Sequence, residues 1–277
     1  MTDLVASWEN WRRSWYKYED IIVDLINNYQ TEESWLGIIK FIARDLNIDY
    51  TEYKIKAEKS PKSVENAFWW AKKPPKADII IFFENKITWE RFFKWISAKS
   101  SNINIQVLIT NVSAFLEVCE NYWIDVPNWL DVALSKFCWF WEYKPSLMLS
   151  KNEIDRLIQW DRDRWLIYEL DKDEQNIIKD FFNENQEEIT EIVLKKWSSF
   201  PEYRADYYLV NKTKFSDTRE VDFWIDNIRN VIDRCIEHWW YIVTEKWSFH
   251  IWSITVQMKW SWQWEAYHGL QFNKAWI

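Results

Sequence analysis

The sequence predicts an α+β fold, a mixed central β-sheet flanked by helices. Three observations lead there. Amphipathic segments with apolar residues three and four apart occupy the N-terminal and middle parts of the chain. Between and after them lie short runs rich in Ile, Val, Phe and Tyr, with the length and composition of strands. No internal repeat or low-complexity linker interrupts the 277 residues, so residues 1–277 are expected to form a single domain.

The elements follow in order. "YKYEDIIVDLINNYQ" (16–30) carries apolar residues at 18, 21, 22, 25, 26 and 29, one face of a helix. "EESWLGIIKFIARDL" (32–46) continues as a second helix. "YTEYKIKAEKS" (50–60) alternates polar and apolar residues and reads as a strand. "KADIIIFFE" (76–84) is a buried strand, and a short turn leads into "RFFKWISAKSS" (91–101), its hairpin partner. "NINIQVLITNVSAFLEVCENY" (102–122) is expected to form one long helix. The stretch 126–200 is expected to be mostly helical, including 171–196. A strand at 204–212, a helix at 225–238 and a final hairpin of 241–246 with 249–259 precede "LQFNK".

Composition narrows the function classes. No apolar run reaches membrane-spanning length, and the first twenty residues lack a signal-peptide core, so a cytoplasmic protein with no membrane partner is expected. Cys119, Cys138 and Cys235 lie far apart without metal-ligand spacing and read as small core residues. His238, His250 and His268 likewise have no mutual spacing of a metal site. A net charge of −8 argues against a generally basic coat for nucleic acid but leaves room for a local basic cleft.

One feature of the composition is anomalous: 24 Trp against 2 Gly. Glycine normally supplies ~7% of residues, about 19 in a chain this long. Trp123 and the pair Trp239–Trp240 follow apolar-periodic runs, where a helix takes a left-handed residue after its last turn. "NKITWE", "PNWL", "EKWSF" and "KKWSSF" put Trp in turns, where a positive φ is common. The expectation is that most Trp positions are glycine positions, UGA codons read as Gly by the source and as Trp in the translation. The alternative is a truly Trp-rich DNA- or sugar-binding protein without catalysis, in which Trp260, Trp262 and Trp264 stack on ligand.

The chemistry gathers at "KAD" (76–78) and "ISAKSS" (96–101). Asp78 opens one strand of the hairpin and Lys99 closes the other, so both are expected at one end of the sheet. Ser97 and Lys99 share a face because strand side chains alternate. A carboxylate holding Mg2+ beside a lysine is a set that phosphodiester hydrolysis can use. Glu84, six residues beyond Asp78, is roughly 20 Å along the strand and belongs to no common site.

Asp, a strand, a turn and then x-Ala-Lys resemble the PD-(D/E)xK nuclease core, and more narrowly the type II restriction endonucleases of the HinP/MspI group. "SWYKYEDIIVDL" (14–25) is similar to that group's first helix, and "DEQNIIKDFF" (173–182) to a middle helix. "SFHIWSITVQMKWSWQWEAYHGLQF" (248–272) is similar to its closing pattern: a strand with Gln-x-Lys, a glycine-rich loop, then Leu-Gln-Phe. The last match improves with Gly at 252, 260, 262 and 264.

The resemblance implies a restriction-endonuclease-like core and Mg2+-dependent cleavage of double-stranded DNA at a short GC-rich palindrome. A cognate DNA methyltransferase would be the genetic partner, and the protein would act as a monomer or homodimer. Asp78 becomes the metal-binding acid and Lys99 the catalytic lysine. Ser97 takes a ligand position that is acidic across most of the superfamily and Gln or Asn in this group. Glu19 on the first helix is the candidate supplementary carboxylate. Ser100, Ser101, Asn102 and Asn104 are expected to grip phosphates. Gln106, Gln257, Lys259, Ser261, Gln263 and Gln271 are candidates for base contacts. A repair nuclease on the same core, nicking at mismatches, is the other enzymatic reading.

Overall fold

The computed structural model describes residues 19–30, 33–61, 76–100, 104–138, 167–197, 200–211, 223–237, 241–243, 248–251, 253–259 and 269–275. The chain divides into two compact units, 1–102 with 198–231 and 103–197 with 232–277.

In the first unit, helix α1 (19–27) and helix α2 (Glu33–Asp45) precede strands β1 (Tyr53–Lys59), β2 (Ile79–Asn85) and β3 (Arg91–Ser100). β1, β2 and β3 form an antiparallel meander, with Ile79 opposite Ile96 and Glu84 opposite Arg91. Two strands arriving much later in the chain complete the sheet. β5 (Tyr207–Asn211) runs parallel to β3, placing Tyr208 opposite Ser97, and β6 (Phe223–Asn227) runs antiparallel to β5. The order is β1-β2-β3-β5-β6, a mixed sheet as the sequence predicts.

Alternation decides what the sheet buries. Ile79, Ile81 and Phe83 of β2 and Ile96 and Ala98 of β3 point to one face. Ile22 and Ile26 of α1 and Ile38, Ile39 and Ile42 of α2 cover that face. The other face carries Asp78, Ile80, Trp95, Ser97 and Lys99.

The second unit holds an antiparallel sheet not foreseen as a separate layer. Its strands are β4 (Asn104–Thr110), β7 (Tyr241–Val243), β8 (Ser248–Ile251), β9 (Ile254–Lys259) and β10 (Gly269–Ala275), in the order β4-β10-β9-β8-β7. Helices α3 (Val112–Asn121), α4 (Leu130–Cys138), α5 (Lys172–Glu184) and α6 (Gln186–Glu191) belong to the same unit, α6 running into a π-helical turn, Ile192–Lys196. Phe115, Phe137, Phe182, Phe249 and Phe272 interlock between these helices and the sheet.

Three expectations need correction. Residues 102–122 do not form one helix: 104–110 is β4, Asn111 caps the helix that follows through its side chain and the Ala114 N–H (2.7 Å), and only 112–121 is helical. Ile105, Val107 and Ile109 are β-branched and favour the strand, while Asn111 supplies a stop for the strand and a start for the helix. The segment 225–238 likewise begins as β6, and helix α7 starts at Ile228 and ends at Ile236. The final hairpin is a three-stranded meander because the chain turns at Ser253 between β8 and β9.

The glycine expectation meets the backbone directly. Five described non-glycine residues have positive φ: Asn47, Trp89 (63°), Trp123 (65°), Trp129 (72°) and Trp197 (41°). Trp89, Trp129 and Trp197 are at turns named above, and Trp123 is at the helix end named there. Trp123 sits where a Schellman motif takes its left-handed residue, with Ile124 N–H donating to Cys119 O and Trp123 N–H to Glu120 O. Its side chain is 95% exposed. Trp95 is buried, and its indole N–H has no acceptor among the described residues. Gly37, in contrast, lies within α2, where a Cβ would meet nothing within 4 Å.

Candidate active site

The site forms where the β2–β3 ladder opens at its end. Asp78 still donates its own N–H to Ile96 O (2.9 Å), but its carboxylate turns onto β3 in place of further backbone pairing. Oδ2 accepts three bonds: from Ala98 N–H at 2.8 Å, Lys99 Nζ at 2.9 Å and Ser97 Oγ at 3.4 Å. Oδ1 has no partner among the described residues. Lys99 is only 7% exposed, and its largely buried ammonium is ion-paired with this carboxylate.

Glu19, on the first described turn of α1, reaches the same neighbourhood. Its pKa is pushed up to about 7, first by burial and then by the negative charge of Asp78, against the opposing pull of Lys59 and Lys99. Lys59 Nζ stands 3.9 Å from Glu19 and 2.7 Å from Asp20. Two carboxylates in one neighbourhood, one with an unengaged oxygen, are a donor set suited to a hard divalent cation. Among the described residues no group of three or more His, Cys, Asp or Glu gathers as a metal cage, so waters or phosphate oxygens would complete such a shell.

Sequence reasoning missed Lys76. It precedes Asp78 by two residues and is half-buried. Its pKa falls to about 7, chiefly through burial and then through Lys99, with Asp78 opposing. The "KAD" spacing carried the signal, since alternation puts positions 76 and 78 on one side of an extended segment. Glu84 pairs with Arg91 across the hairpin, away from the site as its spacing requires.

The candidate DNA contacts fall elsewhere. Ser100 ends β3 opposite Asn211, while Ser101, Asn102, Ser261 and Gln263 lie outside the described residues, as do Trp260, Trp262 and Trp264. Asn104 and Gln106 are on β4, not on a helix. The second unit's sheet brings Gln106 opposite Asn273, and Gln271 opposite Gln257. Gln271 donates to Asn273 Oδ1 at 2.8 Å. Lys259 closes β9 opposite Gly269. The opposite face of that sheet buries Val256, Phe249, Leu270 and Phe272.

Comparison with solved structures yields a long match to the restriction endonuclease MspI, determined in complex with its cognate DNA. The TM-score is 0.57 at 14% identity, over 92% of this chain and 87% of that one. The fold is that of a restriction endonuclease. No protein-family model and no curated protein matches the sequence.

Proposed function

We propose that this chain is a Mg2+-dependent type II restriction endonuclease that cleaves double-stranded DNA at a short GC-rich palindrome. The observation that carries this reading is the Asp78–Lys99 pair at the open end of the hairpin, with Asp78 Oδ1 unengaged and Glu19 close by. The long structural match to MspI supports it.

Asp78 Oδ1 and the Glu19 carboxylate would hold Mg2+, which when bound supplies Lewis-acid polarisation of the phosphate and a more acidic water. Lys99, pinned by Asp78, orients the attacking water and stabilises negative charge developing on the phosphate oxygens. Ser97 is fully buried, and its hydroxyl and the Ala98 N–H keep Asp78 from turning away. Lys76, with its pKa lowered to about 7, would be part charged and part neutral beside the phosphate near neutral pH. On the other unit, Gln106, Gln257, Lys259 and Gln271 would contact bases, because Gln pairs with adenine edges and Lys with guanine. The genetic partner is a methyltransferase protecting the same sequence.

The test is digestion of plasmid DNA with Mg2+, followed by sequencing of the fragment ends. Ends that share one short palindrome, and their loss in Asp78→Ala and Lys99→Ala, are the expected result. Nicks confined to mismatched duplex would favour the repair reading, and intact DNA would count against both.

The protein for that assay matters. We infer that Trp89, Trp123, Trp129 and Trp197 occupy glycine positions, a reading supported by their left-handed backbone. A residue with a Cβ costs roughly 1–2 kcal/mol there. The test protein therefore carries Gly at the 24 positions. UGG at those codons would overturn the inference.

A further inference from the structure

We propose that Asn27 is a positioning residue for Glu19, fixing the height of α1 along the free edge of β1. The proposal rests on the reading of Glu19 as a cation ligand beside Asp78.

β1 is the outer strand of its sheet, so alternate peptide groups on its free side have no strand partner. The Asn27 carboxamide meets one of them at two points. Its Nδ2 donates to Ala57 O at 3.1 Å, and Ala57 N–H donates to its Oδ1 at 2.7 Å. The side chain thus stands where the peptide of a further strand would stand, and ties residues thirty apart in the sequence.

The consequence for Glu19 follows from helix geometry. Eight residues span ~12 Å and bring the direction ~80° past two full turns. Glu19 and Asn27 therefore lie on the same broad side as Ile22 and Ile26, both fully buried against the sheet. Apolar ridges alone leave a helix freer to slide than a paired hydrogen bond does, while a functional group must be held within about 0.5 Å.

β1 carries that position on to the active segment. Ser60 N–H donates to Asp78 O (2.9 Å) and Ser60 Oγ to Ala77 O (2.7 Å). Lys59, two residues beyond Ala57, meets Asp20 beside Glu19. One strand thus fixes both carboxylates: Asp78 through Ser60, and Glu19 through Asn27 at the far end of its helix.

The experiment measures Mn2+ binding by calorimetry, without DNA, on the full chain as used in the cleavage assay. Variants are Asn27→Ala, Asn27→Asp, Glu19→Gln and the Asn27→Ala/Glu19→Gln double. Asn27→Ala is expected to weaken binding about tenfold, as loss of an outer-shell partner does. Asn27→Asp keeps the acceptor for Ala57 N–H and should weaken it less. The double variant should bind no more weakly than Glu19→Gln, because Asn27 acts through Glu19. Native affinity in Asn27→Ala, additive losses in the double, or no Mn2+ binding by the native chain would overturn the proposal. If Asn27→Ala fails to fold, an Asn27→Asp/Glu19→Gln double measured beside its two single variants decides by the same non-additivity. Coupled binding without DNA cleavage would sink the nuclease reading and leave Asn27 in its role. Cleavage without coupling would do the reverse.

Discussion

Asp78 Oδ2 accepts from three donors at once, and one of them, Lys99, is nearly buried. Asp78→Ala therefore removes the acceptor of the Ala98 N–H and of one Lys99 ion pair. A loss of about 2 kcal/mol is expected in urea unfolding, alongside loss of cleavage. Glu19 makes a different prediction, because its folded pKa of about 7 lies above its ordinary value of 4.5. Stability linked to the protonated carboxyl is fully present below 4.5 and is lost as pH rises through 7. Glu19→Gln cannot ionise. In EDTA, its melting temperature relative to the native protein should therefore be higher at pH 8 than at pH 4.5. A difference that does not change with pH would contradict the burial argument. At this scale the sequence was informative where chain neighbours make the site: Asp78, Ser97 and Lys99 come from one hairpin with fixed alternation. Ser97 was legible as a position but not as a buried hydroxyl bonded to Asp78, because that depends on how the ladder ends.

Among the elements, the hairpin β2–β3 was legible because its strands are neighbours with strong β-branched and aromatic content. β4 and β6 were not, although each has strand composition. Ile105, Val107 and Leu108 also fit a helical spacing, and the unmistakable helix 112–121 lent its period to the residues before it. Asn111 was the overlooked boundary. Asn111→Ala should destabilise the protein by ~1 kcal/mol through loss of its bond to Ala114 N–H, measured by urea unfolding. The turns give a prediction of opposite sign. Trp→Gly at 89, 123 and 129 relieves a left-handed backbone and removes side chains that are at least 69% exposed. Each substitution should raise stability by roughly 1 kcal/mol. Trp→Gly at buried Trp95, where φ is not positive, offers no such backbone relief.

On the scale of the whole molecule, the mixed sheet with helices on its face was legible, and the antiparallel sheet of the second unit was not. Its outer strand β4 pairs with β10, more than 150 residues later, and nothing local in either announces the partner. That pairing is what brings Gln106 onto the sheet of Gln257 and Gln271, three amides whose sequence positions looked unrelated. Gln257→Ala and Gln271→Ala are expected to lower cleavage of the cognate site by roughly 1–3 kcal/mol of discrimination each, while basal Mn2+ binding by Asp78 and Glu19 stays unchanged. Comparing cleavage of the cognate site with that of sites differing at one base pair checks this. Asp78 and Lys99 are proposed to make the chain a cation-dependent phosphodiesterase. The most direct measurement is the rate of supercoiled plasmid cleavage as Mg2+ is titrated from zero, for the native chain and for Lys99→Ala. No cutting is expected without Mg2+, saturable cutting with it, and a rate lower by at least about 100-fold in Lys99→Ala. Equal rates in the two proteins, or cutting by the native chain in EDTA, would contradict that proposal.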